Sequence, residues 1–220
     1  MTAANMVPAC FLDGPENSVF TFADLQKLPH ADSFLTTEEQ SFLKLIRIDK
    51  RKLEWQGGRL AAKRIMSRET GKSMTSLHVE YDAFHRPICG GRLISITHSN
   101  GIAAAAYAGG RLVGADLEKI KPHSAAWQKH SFFEEEIPGH TDYEAIRAWT
   151  LKEALLKALG LGLTVPLKSI NISALASGGL PVFTGKALER LESLGKPCLI
   201  TKTSKIGELC FSIAVEAQYA

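Results

Sequence analysis

Three carboxylates and a lysine in the second half of the chain could act together on one ligand. Asp116 and Glu118 lie two residues apart in VGADLEKI, and Glu153 and Lys157 lie four apart in AWTLKEALLKALG. On a strand the first pair projects from one face, and on a helix the second pair shares one side. Three carboxylates that converge between two elements could bind a hard divalent cation. Mg²⁺ fits because it accepts a few carboxylates, keeps waters and takes further ligands from phosphate oxygens.

Each pair also has an interpretation without chemistry. A Glu–Lys pair four residues apart on a helix contributes ~0.2–0.5 kcal/mol as an ordinary surface pair. An acidic pair two residues apart is typical of a solvated strand face. The remainder of the pattern has to decide between these readings.

A magnesium site that holds a polyphosphate needs cations nearby, and the chain offers several. The candidates are Arg59, Lys63, Arg86, His98, Lys152 and Lys157. His98 follows a predicted strand between two hydroxyl residues, where it could hold phosphate or serve a structural role. The basic stretch 44–52 is interpreted as a solvated helix end, with contact to an anion as the alternative.

Composition narrows the class of protein. The chain has 220 residues, 45% hydrophobic and 22% charged, which is typical of a globular protein with a core. A net charge of +3 is too small to predict bulk nucleic-acid binding. Cys10, Cys89, Cys198 and Cys210 form no CxxC spacing, which argues against a zinc site or a disulfide framework. The start of the chain lacks the pattern of a leader, and no run reaches the ~20 apolar residues of a membrane span. We therefore expect a soluble cytoplasmic protein.

Local signals predict the elements that must position these residues. Capping boxes start helices at Thr36 and Thr141, and Gly160 ends the second of them. After an irregular opening, helices are predicted over 36–48, 52–67, 124–133, 142–159 and 185–194. Strands are predicted over 76–81, 168–173, 180–183, 197–203 and 208–216, with consecutive strands over 93–120 that break at Asn100-Gly101 and Gly109-Gly110.

The order of elements repeats along the chain. The repeat aligns Trp55, Arg59 and Lys63 with Trp149, Glu153 and Lys157 at a constant offset. It predicts an α+β fold of two similar lobes related by a pseudo-twofold, each an antiparallel sheet packed against a long helix, with a cleft between them. The predicted boundaries are 1–110 and 111–220.

The segments GADLEKI and WTLKEALLKALG resemble the signature of the 4′-phosphopantetheinyl transferases of the surfactin-synthetase-activating type, a G-[IV]-D-x-E strand followed by W-[ST]-x-K-E-[SA]-x-x-K. Upstream, GGRLAAK, HRPICGG and SITHSNG are similar to the first-lobe helix, the G-[KR]-P turn and the SHS strand of that family. Ala115 replaces a branched residue, Thr97 replaces a serine, and His85 takes a position that is usually glycine.

The resemblance implies a Mg²⁺-dependent enzyme of the holo-[acyl-carrier-protein] synthase type. It would transfer 4′-phosphopantetheine from coenzyme A to a serine of an acyl or peptidyl carrier protein and release adenosine 3′,5′-bisphosphate. Asp116, Glu118 and Glu153 would hold the metal in the C-terminal, catalytic lobe; Glu153 would accept the serine proton and Lys157 would stabilise the leaving phosphate.

The resemblance also implies a site for coenzyme A in the N-terminal lobe. Its phosphates would contact Arg59, Arg86 and His98, with Lys152 and Lys157 as further cations, and Pro87 and Thr97 would shape the nucleotide pocket. The expected partners are coenzyme A and the carrier, with no nucleic acid and no membrane. The repeat within one chain predicts a monomer.

Two other functions remain open at this point. One is a catalytically silent module of the same fold that binds a carrier protein or coenzyme A. The other is a different magnesium-dependent phosphotransferase that uses ATP.

Overall fold

The computed structural model describes residues 12–218. Cys10 and the opening segment that bears on a leader lie outside the described residues. No helix within the described range is long and apolar enough to cross a membrane.

The described chain forms five α-helices and twelve strands. The helices are α1 (Thr37–Leu45), α2 (Asp49–Thr70), α3 (Ala125–Ser131), α4 (Asp142–Leu159) and α5 (Gly185–Ser193). The strands of the first half are β1 (Leu12–Asp13), β2 (Val19–Asp24), β3 (Val79–Tyr81), β4 (Pro87–Cys89), β5 (Arg92–Leu93), β6 (Ser95–Ser99) and β7 (Ile102–Tyr107). Those of the second half are β8 (Val113–Lys119), β9 (Ile170–Asn171), β10 (Val182–Phe183), β11 (Leu199–Ile206) and β12 (Leu209–Glu216).

Two antiparallel sheets have matching designs. The first has the order β1-β2-β7-β6 and packs against α2, and the second has the order β11-β12-β8 and packs against α4. A small separate sheet follows each long helix, β3-β4-β5 after α2 and β10-β9 after α4. The predicted α+β fold of two similar lobes is confirmed.

The two sheets face each other across an apolar core. Phe20 and Phe22 of β2 meet Phe211 of β12, with ring centroids 4.8 and 5.3 Å apart. The residues that alternate with this inner face, such as Ala103 and Ala105 on β7, pack with α2 in a second cluster. The layers therefore run helix, sheet, sheet, helix, with α2 and α4 on the outside.

The prediction of an irregular opening is wrong for the described residues, because β2 lies there. Its sequence VFTFAD is rich in β-branched and aromatic residues and is buried along most of its length. Such a run is a strand signal. The predicted strand 168–173 shortens to β9 because a 3-10 turn, Leu167–Ser169, precedes it and the Asn171 side chain accepts the Ser173 N–H after it.

One buried ion pair recurs in both lobes. In the first, Lys63 of α2 contacts Glu39 and donates to the Phe34 carbonyl at 2.9 Å, and Glu39 accepts the Val79 N–H at 3.1 Å. Both charged side chains are almost wholly buried.

The second lobe builds the same arrangement from α4. Lys152 contacts Glu136 at 2.6 Å, and Glu136 accepts the Ile172 N–H at 2.8 Å. Lys152 in the second lobe is thus the structural equivalent of Lys63 in the first. The sequence alignment of Lys63 with Lys157 is five residues out of register, because a helix that repeats every 3.6 residues offers several plausible offsets.

Candidate functional site

Helix α4 carries the acidic and basic residues that the sequence singles out. Thr141 and Glu144 form the predicted capping box, and Gly160 ends the helix at φ 73°. Trp149 packs against Trp127 with ring centroids 5.2 Å apart. Glu153 is only 5% exposed, so the stripe that it shares with Lys157 faces protein rather than open solvent.

Strand β8 presents Gly114, Asp116 and Glu118 on the face that α4 covers, while Ala115 and Leu117 enter the core between the sheets. A Cβ atom on Gly114 would lie 1.8 Å from the carbonyl oxygen of Ala154. Glycine at this position therefore lets α4 approach the strand closely enough to set its side chains beside the carboxylates.

Lys157 links the helix to the strand. Its Nζ donates to Asp116 Oδ1 at 2.6 Å and to the Ala115 carbonyl at 3.2 Å, with the lysine side chain 28% exposed. The second oxygen of Asp116, Oδ2, is buried and has no hydrogen-bond partner among the described residues. A buried acceptor without a partner is costly, so this oxygen is available to a ligand.

The three carboxylates act on one another electrostatically. Burial, followed by the charge of Asp116, raises the pKa of Glu153 to about 7, with Glu118 adding to the effect and Lys157 opposing it. Burial and the charge of Asp116 also raise the pKa of Glu118. Such mutual repulsion is a feature of functional sites.

Within residues 12–218, no group of three or more His, Cys, Asp or Glu side chains is arranged as a metal centre. The donor set still fits a hard cation in its chemistry, because it consists of carboxylate oxygens and includes the free Oδ2 of Asp116. A divalent cation would relieve the repulsion that, after burial, raises the pKa values of Glu153 and Glu118.

A cleft of about 1200 Å³ lies between the lobes beside this cluster. The predicted contacts that line it are Arg59, Arg86, Pro87, His98 and Lys157. Lys157 connects the cleft to Asp116. In the described structure, the three carboxylates are not part of the lining of the cleft.

Arg86 is held in place with one end free. Its Nε donates to Asp82 Oδ2 at 2.8 Å, and its buried Nη1 has no partner within the described chain. Although burial opposes it, hydrogen bonds from the Arg86 backbone, the Arg86 side chain and the Phe84 backbone lower the pKa of Asp82. His85 adopts φ 56°, so the turn keeps the left-handed conformation that a glycine would give.

The other two predicted phosphate contacts already have neighbours. Arg59 lies over the Trp55 ring at 3.5 Å from its centroid, and its Nε is 3.5 Å from a Glu39 oxygen. His98 is about half exposed, and its Nδ1 is 3.7 Å from Glu54.

Thr97 and Lys152 lie elsewhere. Lys152 is wholly buried in its pair with Glu136, and Thr97 turns its hydroxyl to Asp116 at 3.1 Å. Neither contributes to the lining of the cleft in the described structure. Adjacent helix residues point about 100° apart, so the neighbour of Glu153 in sequence reaches another part of the fold.

Sequence reasoning left out Arg47 and Arg51, which line the cleft together with the apolar Phe42 and Ile48. The signal was present as the basic stretch 44–52. Sequence alone could not tell whether that stretch faces solvent or the cleft.

A family model of the 4′-phosphopantetheinyl transferase superfamily matches residues 112–201, the span that contains Asp116, Glu118, Glu153 and Lys157. None of the curated proteins compared with the chain matches it significantly.

Among solved structures, the chain is similar to the Helicobacter pylori holo-[acyl-carrier-protein] synthase in complex with coenzyme A. The TM-score is 0.40 with 20% identity, over 48% of this chain and 99% of that one. It is also similar to the holo-[acyl-carrier-protein] synthase from Neisseria meningitidis, with a TM-score of 0.39 and 26% identity, over 48% and 97% of the two chains. The likeness to the 4′-phosphopantetheinyl transferase superfamily thus lies in residues 112–201, less than half of the chain.

Proposed function

We propose that the chain transfers the 4′-phosphopantetheine arm of coenzyme A to a serine of an acyl or peptidyl carrier protein, with Mg²⁺, as an enzyme of the surfactin-synthetase-activating type. The observation that carries the proposal is the contact of Lys157, a cleft residue, with Asp116, whose second oxygen is buried and without a described partner. This contact joins an acidic cluster to a cleft that is lined with cations.

In this proposal residues 1–110 bind coenzyme A and residues 111–220 hold the metal and perform the chemistry. Arg86 offers its unpartnered Nη1 to a phosphate, and His98 and Arg59 line the same cleft. Arg47 and Arg51 add positive charge there. Lys152 is left out of the ligand contacts, because its ammonium is already paired and wholly buried.

Asp116, Glu118 and Glu153 would hold the Mg²⁺ ion, which neutralises charge on phosphoryl oxygens. Lys157 lies at the edge of the cleft and binds the phosphate that leaves. Lys157 and the arginines also orient the pyrophosphate for in-line attack.

Glu153 accepts the proton of the attacking serine. A general base must lie within hydrogen-bond reach of the proton that it accepts, and Glu153 lies on the same side of α4 as the cleft residue Lys157. The serine oxygen bonds to the phosphorus that bears the pantetheine arm, and the bond from that phosphorus to the bridging oxygen breaks. Adenosine 3′,5′-bisphosphate leaves with the electron pair of the broken bond, stabilised by Lys157.

The test is a mass measurement on several apo carrier proteins incubated with the chain, coenzyme A and Mg²⁺. A gain equal to the mass of the phosphopantetheine arm supports the proposal, and EDTA should abolish it. Glu153→Gln should remain folded and lose about 10²–10⁴-fold in rate, the usual contribution of a general base.

The absence of a mass gain on all carriers would overturn the proposal in favour of a silent binding module. A thermal shift with ATP but not with coenzyme A would favour a different phosphotransferase, since a ligand at 100 times its Kd adds about 2.7 kcal/mol of stability.

We further propose that the chain acts as a monomer in the cytoplasm. One chain supplies both walls of the cleft, which supports the monomer. Cys89, Cys198 and Cys210 are free thiols, which supports a reducing compartment. Size-exclusion chromatography with light scattering tests the oligomeric state.

A further inference from the structure

Strand β6 of the first lobe lies along the outer edge of β8, the last strand of the described second sheet. An edge strand presents backbone N–H groups that need partners. Side-chain hydroxyls of β6 supply them at every second residue: Ala115 N donates to Ser95 at 2.8 Å, Leu117 N to Thr97 at 3.2 Å, and Lys119 N to Ser99 at 3.2 Å.

Two of these hydroxyls make a second bond, to a carboxylate. Thr97 Oγ1 donates to Asp116 Oδ1 at 3.1 Å, and Ser99 Oγ donates to Glu118 Oε2 at 3.0 Å. A hydroxyl has one proton to donate. An ionised carboxylate oxygen can only accept, so this proton points towards the carboxylate while the hydroxyl oxygen accepts the backbone N–H.

The third hydroxyl lacks this second bond for a simple reason. Ser95 comes two residues before Thr97, and two residues before Asp116 on β8 lies Gly114, which has no side chain. Ser95 therefore shares the contact with the β8 backbone but not the contact with a carboxylate.

The bonds to Asp116 leave one of its oxygens free. Thr97 and Lys157 both donate to Oδ1, while Oδ2 is buried without a partner in the described part of the chain. The carboxylate is thus fixed through one oxygen, with the other available. A group that hydrogen-bonds to one oxygen of a carboxylate fixes its orientation, and such support strengthens metal binding by the other oxygen.

We propose that Thr97 and Ser99 are positioning residues, which hold the carboxylates of Asp116 and Glu118 so that one oxygen of each is presented to a divalent cation. The inference rests on the proposed metal site. It gives Thr97 a role other than shaping the nucleotide pocket, and it makes the acidic cluster of one lobe depend on a strand of the other.

The experiment titrates the full-length, metal-free chain with Mn²⁺ by isothermal calorimetry. Thr97→Val and Ser99→Ala should each weaken Mn²⁺ binding by about 10-fold or more, the usual cost of losing an outer-shell partner. Thr97→Ser, which keeps the hydroxyl, should restore the affinity to within about threefold of the unsubstituted chain.

Ser95→Ala is the matched control. It removes a hydroxyl from the same strand and the same kind of backbone bond, but no carboxylate contact. Its melting temperature, Tm, should fall by about as much as that of Ser99→Ala. Its Mn²⁺ affinity should stay within about twofold of the unsubstituted chain. A merely structural role for the hydroxyls predicts equal Mn²⁺ affinities for the two variants, and that result overturns the inference.

Transfer assays on the same proteins separate the two proposals. If the unsubstituted chain transfers phosphopantetheine but Thr97→Val and Ser99→Ala bind Mn²⁺ normally, the positioning role fails and the proposed function stands. If transfer fails on every carrier but the variants differ in Mn²⁺ affinity as expected, the positioning role stands and the proposed function fails. An unsubstituted chain that binds no Mn²⁺ overturns the positioning role and the metal site together.

Discussion

The two lobes share a scaffold and differ in their chemistry. Each one buries a lysine of its long helix against a glutamate, Lys63 with Glu39 and Lys152 with Glu136. The pair Asp116 and Glu118 faces a third buried glutamate, Glu153, in the second lobe. The first lobe instead supplies arginines and two histidines to the cleft.

The hydrogen-bond partners of the buried glutamates distinguish the two structural ones, Glu39 and Glu136, from Glu153. Glu39 and Glu136 each accept a lysine and two backbone N–H groups, so both oxygens have partners. Glu153 is about as buried but lies beside like charges, and burial together with those charges raises its pKa to about 7. A buried carboxylate with full support stabilises the fold, whereas one under repulsion is the better candidate for chemistry.

The largest expected loss of stability comes from filling the space where helix and sheet approach closely. Gly114→Ala would place a Cβ atom 1.8 Å from the backbone oxygen of Ala154. Since neither backbone can move without separating α4 from β8, we expect a loss of more than about 4 kcal/mol in the free energy of unfolding. Urea denaturation measures it, or soluble yield if the variant fails to fold.

Gly57→Ala in α2 is the matched change in the first lobe. Its Cβ atom would meet the flexible end of Leu25 at 2.1 Å, which can rotate away, although Ala103 also lies at 3.1 Å. Alanine favours helix over glycine by about 1 kcal/mol. We expect a net change within about 1 kcal/mol, and equal losses for the two variants would contradict the proposed difference in packing.

The repeated ion pair gives the next largest effect. Lys63→Met and Lys152→Met each leave a buried glutamate without its counter-charge, which costs about 3–5 kcal/mol. Chemical denaturation should give similar losses in the two lobes. Lys50→Met is the control, because its pair with Glu54 at 3.7 Å is on the surface and contributes little.

Lys152→Met also tests the role of the lysine next to Glu153. If Lys152 contacts coenzyme A directly, its loss should raise the KM for coenzyme A in the fraction of protein that remains folded. We expect the KM to stay within about threefold of the unsubstituted value.

The smallest expected effect is a change of stability with pH. Because the pKa of Glu153 is about 7 in the folded protein and 4.5 in its ordinary state, the folded state binds the extra proton between these values. The contribution of Glu153 to stability therefore falls as pH rises from 4.5 through 7, and it stays low above that.

Glu153→Gln should accordingly be more stable than the unsubstituted chain at pH 8 in EDTA, by on the order of 1–3 kcal/mol. The difference in stability between the two proteins should disappear near pH 4.5. Glu39→Gln should instead be destabilised at pH 8, because it loses the partner of Lys63. Thermal unfolding at both pH values checks the contrast, which a destabilised Glu153→Gln at pH 8 would refute.

Much of the framework follows from local sequence. The Thr36–Glu39 and Thr141–Glu144 boxes start their helices as expected, and the alanines 103–106 lie in a strand between the two predicted turns. The strand β2 was missed although its residue types favour a strand. Asp13-Gly14-Pro15, a turn signal, also precedes it.

The candidate site was only partly within reach of the sequence. Alternation along β8 puts Asp116 and Glu118 on one face, and the helical period puts Glu153 beside Lys157. Lys152 shares their motif but turns into the core, and Arg47 and Arg51 line the cleft although their stretch was interpreted as a solvated helix end. Which way a helix turns depends on what packs against it, and sequence spacing carries no such information.

Local sequence is enough to predict most of the elements, their order and the residue types of the acidic motif, because capping, period and turn chemistry act over a few residues. The contacts of Thr97 and Ser99 with Asp116 and Glu118, and the correspondence of Lys63 to Lys152, appear only in the folded chain. These contacts join residues far apart in the chain. Their register is set by the packing of two sheets and two helices around a shared core, and by the need of each buried polar group for a partner.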